Sequence, residues 1–246
     1  MAARRRGQAI RTIAGRGVHR ERERRLTRPG PSTPSTAPVG LTETTLAVAV
    51  EALAARDPAL AGIVARHGPP PLWDRRPGFP TLLHIVLEQQ VSLASAQAAF
   101  DRLMAAADPL TPARFLAFSD AELLDIGFSR QKARYGRELA VAVRSGTLDL
   151  DGLASLGDDD VRVALEAIPG IGPWTSTIYL LMVLGRPDVW PVGDIALQQA
   201  AAEVLDLGHR PPPDEMATIG EPWRPWRSVA ARLLWHDYLA RRGRSG

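Results

Sequence analysis

The chain has 246 residues, of which 45% are hydrophobic and 23% are charged, a composition typical of a globular protein with a core. It contains no cysteine, which excludes a disulfide scaffold, a cysteine nucleophile and metal sites held by cysteine. Residues 1–40 hold 10 Arg and two Glu, whereas residues 41–246 hold 20 Lys plus Arg against 25 Asp plus Glu, a net charge of −5. A basic surface over the whole folded part is therefore excluded, so any nucleic-acid binding must depend on local features.

Residues 1–40 are expected to form a disordered basic tail. Arginine dominates the first part of this segment, and Pro, Ser, Thr and Gly dominate the stretch from Pro29 to Gly40. Such a composition buries too little apolar surface to offset the entropy lost on ordering. No apolar segment follows the charges, so a secretory signal is not expected. We therefore place the folded domain at residues 41–246.

From Leu41 onward, prolines, glycines and short polar breaks separate segments with helical periodicity. No succession of strands with hairpin turns is apparent. The sequence therefore predicts an all-α fold, a compact helical bundle. The predicted helices cover about 42–56, 58–67, 80–90, 93–107, 112–118, 120–126, 130–145, 158–167, 173–184, 194–207 and 226–241.

A helix break at residues 165–177 is the most informative segment. It contains the sequence Ile168-Pro169-Gly170-Ile171-Gly172-Pro173-Trp174-Thr175. The two glycines permit a tight turn, Ile171 can point into the core, and Pro173 suits the first turn of the next helix. The amide groups of Gly170, Gly172 and that first turn would then face outward and bind a phosphate. An ordinary corner between two helices is the alternative.

This segment resembles the helix-hairpin-helix of the DNA glycosylase superfamily, and more narrowly the 3-methyladenine DNA glycosylase II (AlkA-like) family. Three other segments support the resemblance: residues 87–92, residues 190–197, and residues 223–228 followed by Leu234-Trp235. The resemblance covers about residues 75–241, the expected catalytic core. It implies two helical subdomains with an HhH-GPD motif and a DNA-binding cleft between them.

Asp194 follows Gly172 by 22 residues and begins a predicted helix. An N-cap role would explain an aspartate there, and a carboxylate at a helix N-terminus is stabilised as the anion. Hydrolysis of an N-glycosidic bond develops positive charge on the sugar, which a fixed carboxylate stabilises. The resemblance implies that Asp194 has this catalytic role and can also orient or deprotonate the attacking water.

Other site residues are assigned by the resemblance. It implies that Trp174 and Trp235 line the pocket of the flipped base, and that Gln90 is the wedge filling the gap in the duplex. Tyr179 is a further pocket candidate, with core packing as its alternative. An electron-rich indole would attract a base made cationic by alkylation. The expected phosphate-binding hairpin comprises Gly170, Ile171, Gly172 and Thr175.

The chain departs from related enzymes that also cut the strand. Those enzymes carry a lysine in the second helix of the hairpin, and the matching position here is Trp174. We therefore expect a monofunctional glycosylase that leaves an abasic site. No organic cofactor or metal-ligand motif is present in the sequence, so no cofactor is expected, although the resemblance allows a monovalent cation on the hairpin carbonyls around 166–171.

The leading hypothesis is removal of alkylated purines, such as 3-methyladenine and 7-methylguanine, from double-stranded DNA. A noncatalytic DNA-bending module with the same hairpin is one alternative. A glycosylase of the same fold for a deaminated or mismatched base is another. The expected protein is a monomer that acts on damaged DNA, not on membranes, in the bacterial cytoplasm near the nucleoid.

Overall fold

The computed structural model describes residues 40–243; residues 1–39 and 244–246 lie outside the described residues, and with them nearly all of the expected tail. Within this range the chain is helical and has no β-strand, so the all-α prediction is confirmed. None of the described helices is long and apolar enough to cross a membrane. The helices are α1 (Glu43–Arg56), α2 (Pro58–His67), α3 (Phe79–Glu88), α4 (Leu93–Ala106), α5 (Pro112–Ala117), α6 (Asp120–Ile126), α7 (Arg130–Ser145), α8 (Asp158–Glu166), α9 (Pro173–Met182), α10 (Ile195–Val204), α11 (Pro213–Gly220) and α12 (Arg227–Arg241), with 3₁₀ turns at Gly152–Ser155 and Glu221–Trp223.

The helices pack as two subdomains. Helices α3 to α9, the middle of the described chain, pack on one another, and α1, α2, α10, α11 and α12 form the second group. In the second group α12 is central, because it packs against α1, α2 and α10. Its residues Val229, Ala230, Leu233 and Leu234 are all fully buried.

Local signals place most helix boundaries. Asp57 ends α1 and caps α2, where its Oδ1 accepts from the amides of Ala59 and Leu60. Ser92 caps α4 as predicted, with its hydroxyl accepting from the amide of Ser95 at 3.2 Å. Such caps satisfy amides that have no partner inside the helix.

Four helices differ from the prediction by two residues or more, or were not predicted. Helix α3 ends at Glu88, two residues early, before Gln90 with positive φ. Helix α9 ends at Met182, two residues early, ahead of a chain reversal at Gly185, which has φ +62°. Helix α10 ends at Val204, three residues early, before Asp206 and Gly208 with positive φ. Helix α11 was not predicted because prolines surround its start, although Pro213, Asp214 and Glu215 in its first turn are favourable helix-start residues.

Candidate active site

A cleft of about 1380 Å³ is lined by residues of both subdomains. The middle subdomain contributes the turn after α3, the start of α7, the hairpin between α8 and α9, and the exposed face of α9. The second subdomain contributes the start of α10 and one face of α12. The cleft therefore brings together segments that are more than 100 residues apart in the sequence.

Asp194 is the N-cap of α10, and its carboxylate accepts three hydrogen bonds inside the cleft. The Oδ1 atom accepts from the backbone amide of Leu197 at 2.7 Å, as an N-cap does. The indole N–H of Trp174 donates to Oδ2 at 2.9 Å, and that of Trp235 donates to Oδ1 at 3.2 Å. The structure thus brings together Asp194, Trp174 and Trp235, three of the four residues predicted for the catalytic group and the base pocket.

These donors come from three different helices, α9, α10 and α12. Each donor places partial positive charge against the carboxylate, and the N-terminus of α10 adds its own. The carboxylate is only partly exposed, and it lies on the cleft surface. Asp194 therefore combines the helix-capping role with a fixed negative charge that faces the cleft.

The two hairpin glycines have different roles. Gly170 has φ +91°, and a Cβ added there would lie 2.1 Å from the ring of Tyr135. Gly172 has φ −109° and open space around its Cα. The left-handed conformation that the turn needs is thus at Gly170, whereas Gly172 leaves room in front of the first amides of α9. Those amides have no acceptor within the helix, as at any helix start.

The side chains of Ile171 and Thr175 both point into the protein. Ile171 is buried in the core, as predicted. Thr175 is 1% exposed, and its Oγ1 accepts a hydrogen bond from Gln89 Nε2 at 2.9 Å. The Thr175 hydroxyl is therefore bound inside the protein, and the predicted place of Thr175 in the phosphate-binding hairpin depends on its backbone amide in the first turn of α9.

Gln89 connects the hairpin to the predicted wedge. Its Nε2 also donates to the carbonyl of Gly170 at 2.9 Å. The next residue, Gln90, is exposed, lines the cleft and has φ +57°. A non-glycine residue in this conformation is strained, and surrounding contacts must hold it there. The Gln89 bonds are such contacts, and they fix Gln90 relative to the hairpin.

Tyr179 does not line the cleft, so its prediction as a pocket residue is wrong. The cleft face of α9 carries Trp174, Ile178 and Met182, which are spaced four residues apart, and Tyr179 lies on a different face. Its side chain is fully buried, and burial raises its pKa to about 12. No described residue accepts a hydrogen bond from its hydroxyl.

Sequence reasoning missed Trp73, Tyr135 and Tyr238, three aromatic residues of the cleft surface. Lys132, at the start of α7, also lines the cleft. Trp73 could have been noticed because it lies in a proline-rich connection, where packing between helices does not explain a tryptophan. Burial lowers the pKa of the Lys132 amine, which donates to the carbonyl of Leu87. Gln89 gave no signal beyond its position next to Gln90.

Replacing Tyr179 by phenylalanine tests its placement. Removing a buried hydroxyl without a partner should leave the free energy of unfolding unchanged or raise it by up to about 1 kcal/mol. Denaturant unfolding measures this change. A loss of more than about 2 kcal/mol would mean that the hydroxyl has a partner in solution.

Replacing each hairpin glycine by alanine tests the turn. Gly170→Ala should lower the free energy of unfolding by about 1–3 kcal/mol, because it forces alanine into a left-handed conformation and against Tyr135. Gly172→Ala is the matched control and should change it by less than about 1 kcal/mol. Equal losses in thermal or denaturant unfolding would contradict the described turn.

Comparisons with known proteins agree with this geometry. The family model described as HhH-GPD superfamily base excision DNA repair protein matches residues 83–225. YfjP of Bacillus subtilis is 30% identical over 186 residues, which are 72% of this chain and 65% of the relative. The DNA-3-methyladenine glycosylase of the same organism is 30% identical over 122 residues, 50% of this chain and 40% of the relative. The matched part thus spans less than two thirds of either relative.

Solved structures give the same family. The 3-methyladenine DNA glycosylase Mag1 of Schizosaccharomyces pombe, in complex with abasic DNA, superimposes with a TM-score of 0.71 at 25% identity, covering 76% of this chain and 95% of Mag1. The DNA-3-methyladenine glycosidase of Bacillus halodurans gives a TM-score of 0.64 at 30% identity, over 77% of this chain and 88% of that one. The chain belongs to the HhH-GPD superfamily of base excision DNA repair proteins.

Proposed function

We propose that this protein is a DNA glycosylase that hydrolyses the N-glycosidic bond of alkylated purines, such as 3-methyladenine and 7-methylguanine, in double-stranded DNA. The observation that carries the proposal is the Asp194 carboxylate, which two tryptophan indoles and a backbone amide hold at the surface of the cleft. The names of the relatives and the abasic DNA bound to Mag1 support the same substrate class.

Asp194 acts on the sugar of the flipped nucleotide. As the bond between C1′ and the base nitrogen lengthens, positive charge develops on the sugar ring, and the fixed carboxylate stabilises it. Water adds to C1′ and gives up a proton, which Asp194 can accept. An alkylated base that starts with a positive charge leaves as a neutral molecule, so the reaction needs no acid to protonate the leaving group.

Trp174 and Trp235 recognise the base with their ring faces. Each indole directs its N–H edge to Asp194, which fixes the orientation of the ring. The faces of electron-rich indoles attract a cationic base, by about 0.5–2 kcal/mol for each well-placed contact. This attraction favours alkylated purines over normal purines. The positive charge of the alkylated base also weakens its glycosidic bond.

The hairpin and Gln90 hold the DNA around the flipped nucleotide. The amides of Gly170, Gly172 and the first turn of α9 bind a phosphate, which suits a folded part whose side chains carry net negative charge. Gln90 enters the duplex where the nucleotide has left the stack. The positive φ of Gln90 costs free energy, and its contact with DNA would explain why a strained residue is retained there.

The reaction ends at the abasic site. Strand cleavage through a Schiff base needs a lysine amine at the sugar, and the hairpin carries Trp174 where related lyases carry lysine. Lys132 lines the cleft, but its amine is bound to the carbonyl of Leu87. Strand breaks should therefore form only after alkali treatment.

Two smaller proposals accompany this function. The segment 166–171 offers backbone carbonyls, oxygen ligands that suit a hard monovalent cation near the proposed phosphate site. The protein acts as a monomer in the bacterial cytoplasm, near the nucleoid, which is in line with its bacterial relatives.

Replacing Asp194 by asparagine tests the catalytic assignment. Base release from a duplex with one 7-methylguanine should fall at least about a hundredfold, because the negative charge is lost. Asp57→Asn is a matched control: Asp57 also caps a helix and also accepts an indole N–H, from Trp223 at 2.7 Å, but lies outside the cleft.

Both variants should lose about 1–2 kcal/mol of stability, since each loses a charged acceptor. Only Asp194→Asn should lose base release, measured in single-turnover assays well below the melting temperature. Activity of Asp194→Asn within about tenfold of wild type would contradict the assignment and leave Asp194 as a helix cap.

Replacing Gly172 by valine tests the hairpin as the phosphate anchor. Valine fits the extended backbone there but occupies the space in front of the amides, so affinity for an abasic-site duplex should fall at least about tenfold. Gly157→Val is the control, because Gly157 is also an N-cap glycine, of α8, and a Cβ added there would lie 3.8 Å from its nearest neighbour, the Oδ2 of Asp160. Equal affinities of the two variants for this duplex would mean that the phosphate is bound at another place in the protein.

A further inference from the structure

The connection between α2 and α3, residues 68–78, brings a third tryptophan to the cleft. Trp73 is half-buried and lines the cleft together with Met182 of α9 and Tyr238 of α12. Met182 lies eight residues, or about 12 Å along the helix axis, beyond Trp174. The amide of Arg75, two residues after Trp73, bonds to Met182, so this segment lies at the end of α9 that is opposite to Trp174.

The backbone of Trp73 is strained. Three non-glycine residues of the range 40–243 have positive φ, and two of them, Trp73 at +49° and Gln90 at +57°, line the cleft. Bulky aromatic residues rarely adopt this left-handed conformation. Its free-energy cost is about as large as the stabilisation that one weak hydrogen bond provides. Glycine would adopt it without strain, so backbone geometry does not explain why tryptophan is present.

Fixed contacts on both sides impose this conformation. The buried Arg232 donates from Nε to the carbonyl of Leu72 and from Nη2 to that of Leu181, both at 2.8 Å. Burial lowers the pKa of Arg232 to about 10, which leaves it charged at neutral pH. The amide of Arg75 donates to the carbonyl of Met182 at 2.9 Å. The guanidinium of Arg75 also binds both carboxylate oxygens of Glu88, at 2.8 and 3.0 Å.

The indole of Trp73 differs from those of Trp174 and Trp235 in what its N–H does. Those two donate to Asp194, whereas no residue of the described chain accepts from Trp73 Nε1. Its ring packs edge-on against His236, with centroids 6.2 Å apart. A ring on the cleft surface whose N–H no described residue accepts suits a purine, whose ring nitrogens, and in guanine the exocyclic oxygen, accept hydrogen bonds.

We propose that Trp73 is a specificity-determining residue that closes the far end of the base pocket and contacts the flipped purine through its ring and its indole N–H. This inference rests on the proposed glycosylase function. A purely structural Trp73, which only fills space beside His236, is the competing explanation. The two differ in one respect: a specificity residue matters only when a base is in the pocket.

The test compares Trp73→Leu and Trp73→Phe with wild type on two duplexes, one with 7-methylguanine and one with an abasic-site analogue. Trp73→Leu should lower the single-turnover efficiency of base release roughly 2- to 30-fold, the range expected for one cation–π contact. Trp73→Phe should retain part of this efficiency, because it keeps a ring and loses the N–H. Affinity for the abasic duplex, which carries no base, should remain that of wild type.

Trp226→Phe is the matched control. Trp226 is also half-buried and its indole N–H also has no acceptor in the range 40–243, but it lies outside the cleft. This variant should release base as wild type does. The proposal is overturned if Trp73→Leu releases 7-methylguanine like wild type, or if it loses abasic-duplex affinity to the same extent as base release. A wild-type protein that releases no base would instead reject the proposed function.

Discussion

The hydrogen bonds on the Asp194 carboxylate are the interaction on which the rest of the site depends. One donor belongs to α9 of the middle subdomain and two belong to α10 and α12 of the second subdomain. The carboxylate therefore links the two halves of the cleft as well as supplying charge. Because each tryptophan must direct its N–H edge to Asp194, the positions of the ring faces follow from the same bonds. The proposed base stacking and the proposed charge stabilisation thus depend on one arrangement of hydrogen bonds.

A second constraint is the negative charge of the folded part. Residues 41–246 carry a net charge of −5, so general attraction between DNA and the side chains of this part does not account for the proposed binding. Backbone amides at the hairpin would avoid this conflict, because the proposed phosphate contact adds no basic side chain. Gln89 then relates this anchor to Gln90 by its bond to the Gly170 carbonyl. The distance between the proposed phosphate-binding hairpin and the proposed wedge, Gln90, is consequently fixed within the protein.

Much of this architecture could be predicted from the sequence because it depends on local signals. Helix caps such as Ser92 and Asp194, and the glycine and proline spacing of the hairpin, act within a few residues. The residues that were missed depend on packing over long distances. Tyr179 and Ile178 are adjacent in the sequence, but only Ile178 faces the cleft. Trp73 reaches the cleft because Arg232, some 160 residues away, holds the preceding carbonyl. Neither placement can be derived from periodicity alone.

The central claim is that Asp194 presents a fixed negative charge to a sugar that becomes positively charged in the transition state. The most direct measurement compares wild-type affinity for two duplexes that differ only in one abasic-site analogue, a neutral tetrahydrofuran or a cationic pyrrolidine. A site built for the charged sugar should bind the pyrrolidine duplex at least about tenfold more tightly, since transition-state mimics gain affinity from such complementarity. Equal affinity for the two duplexes would contradict the claim.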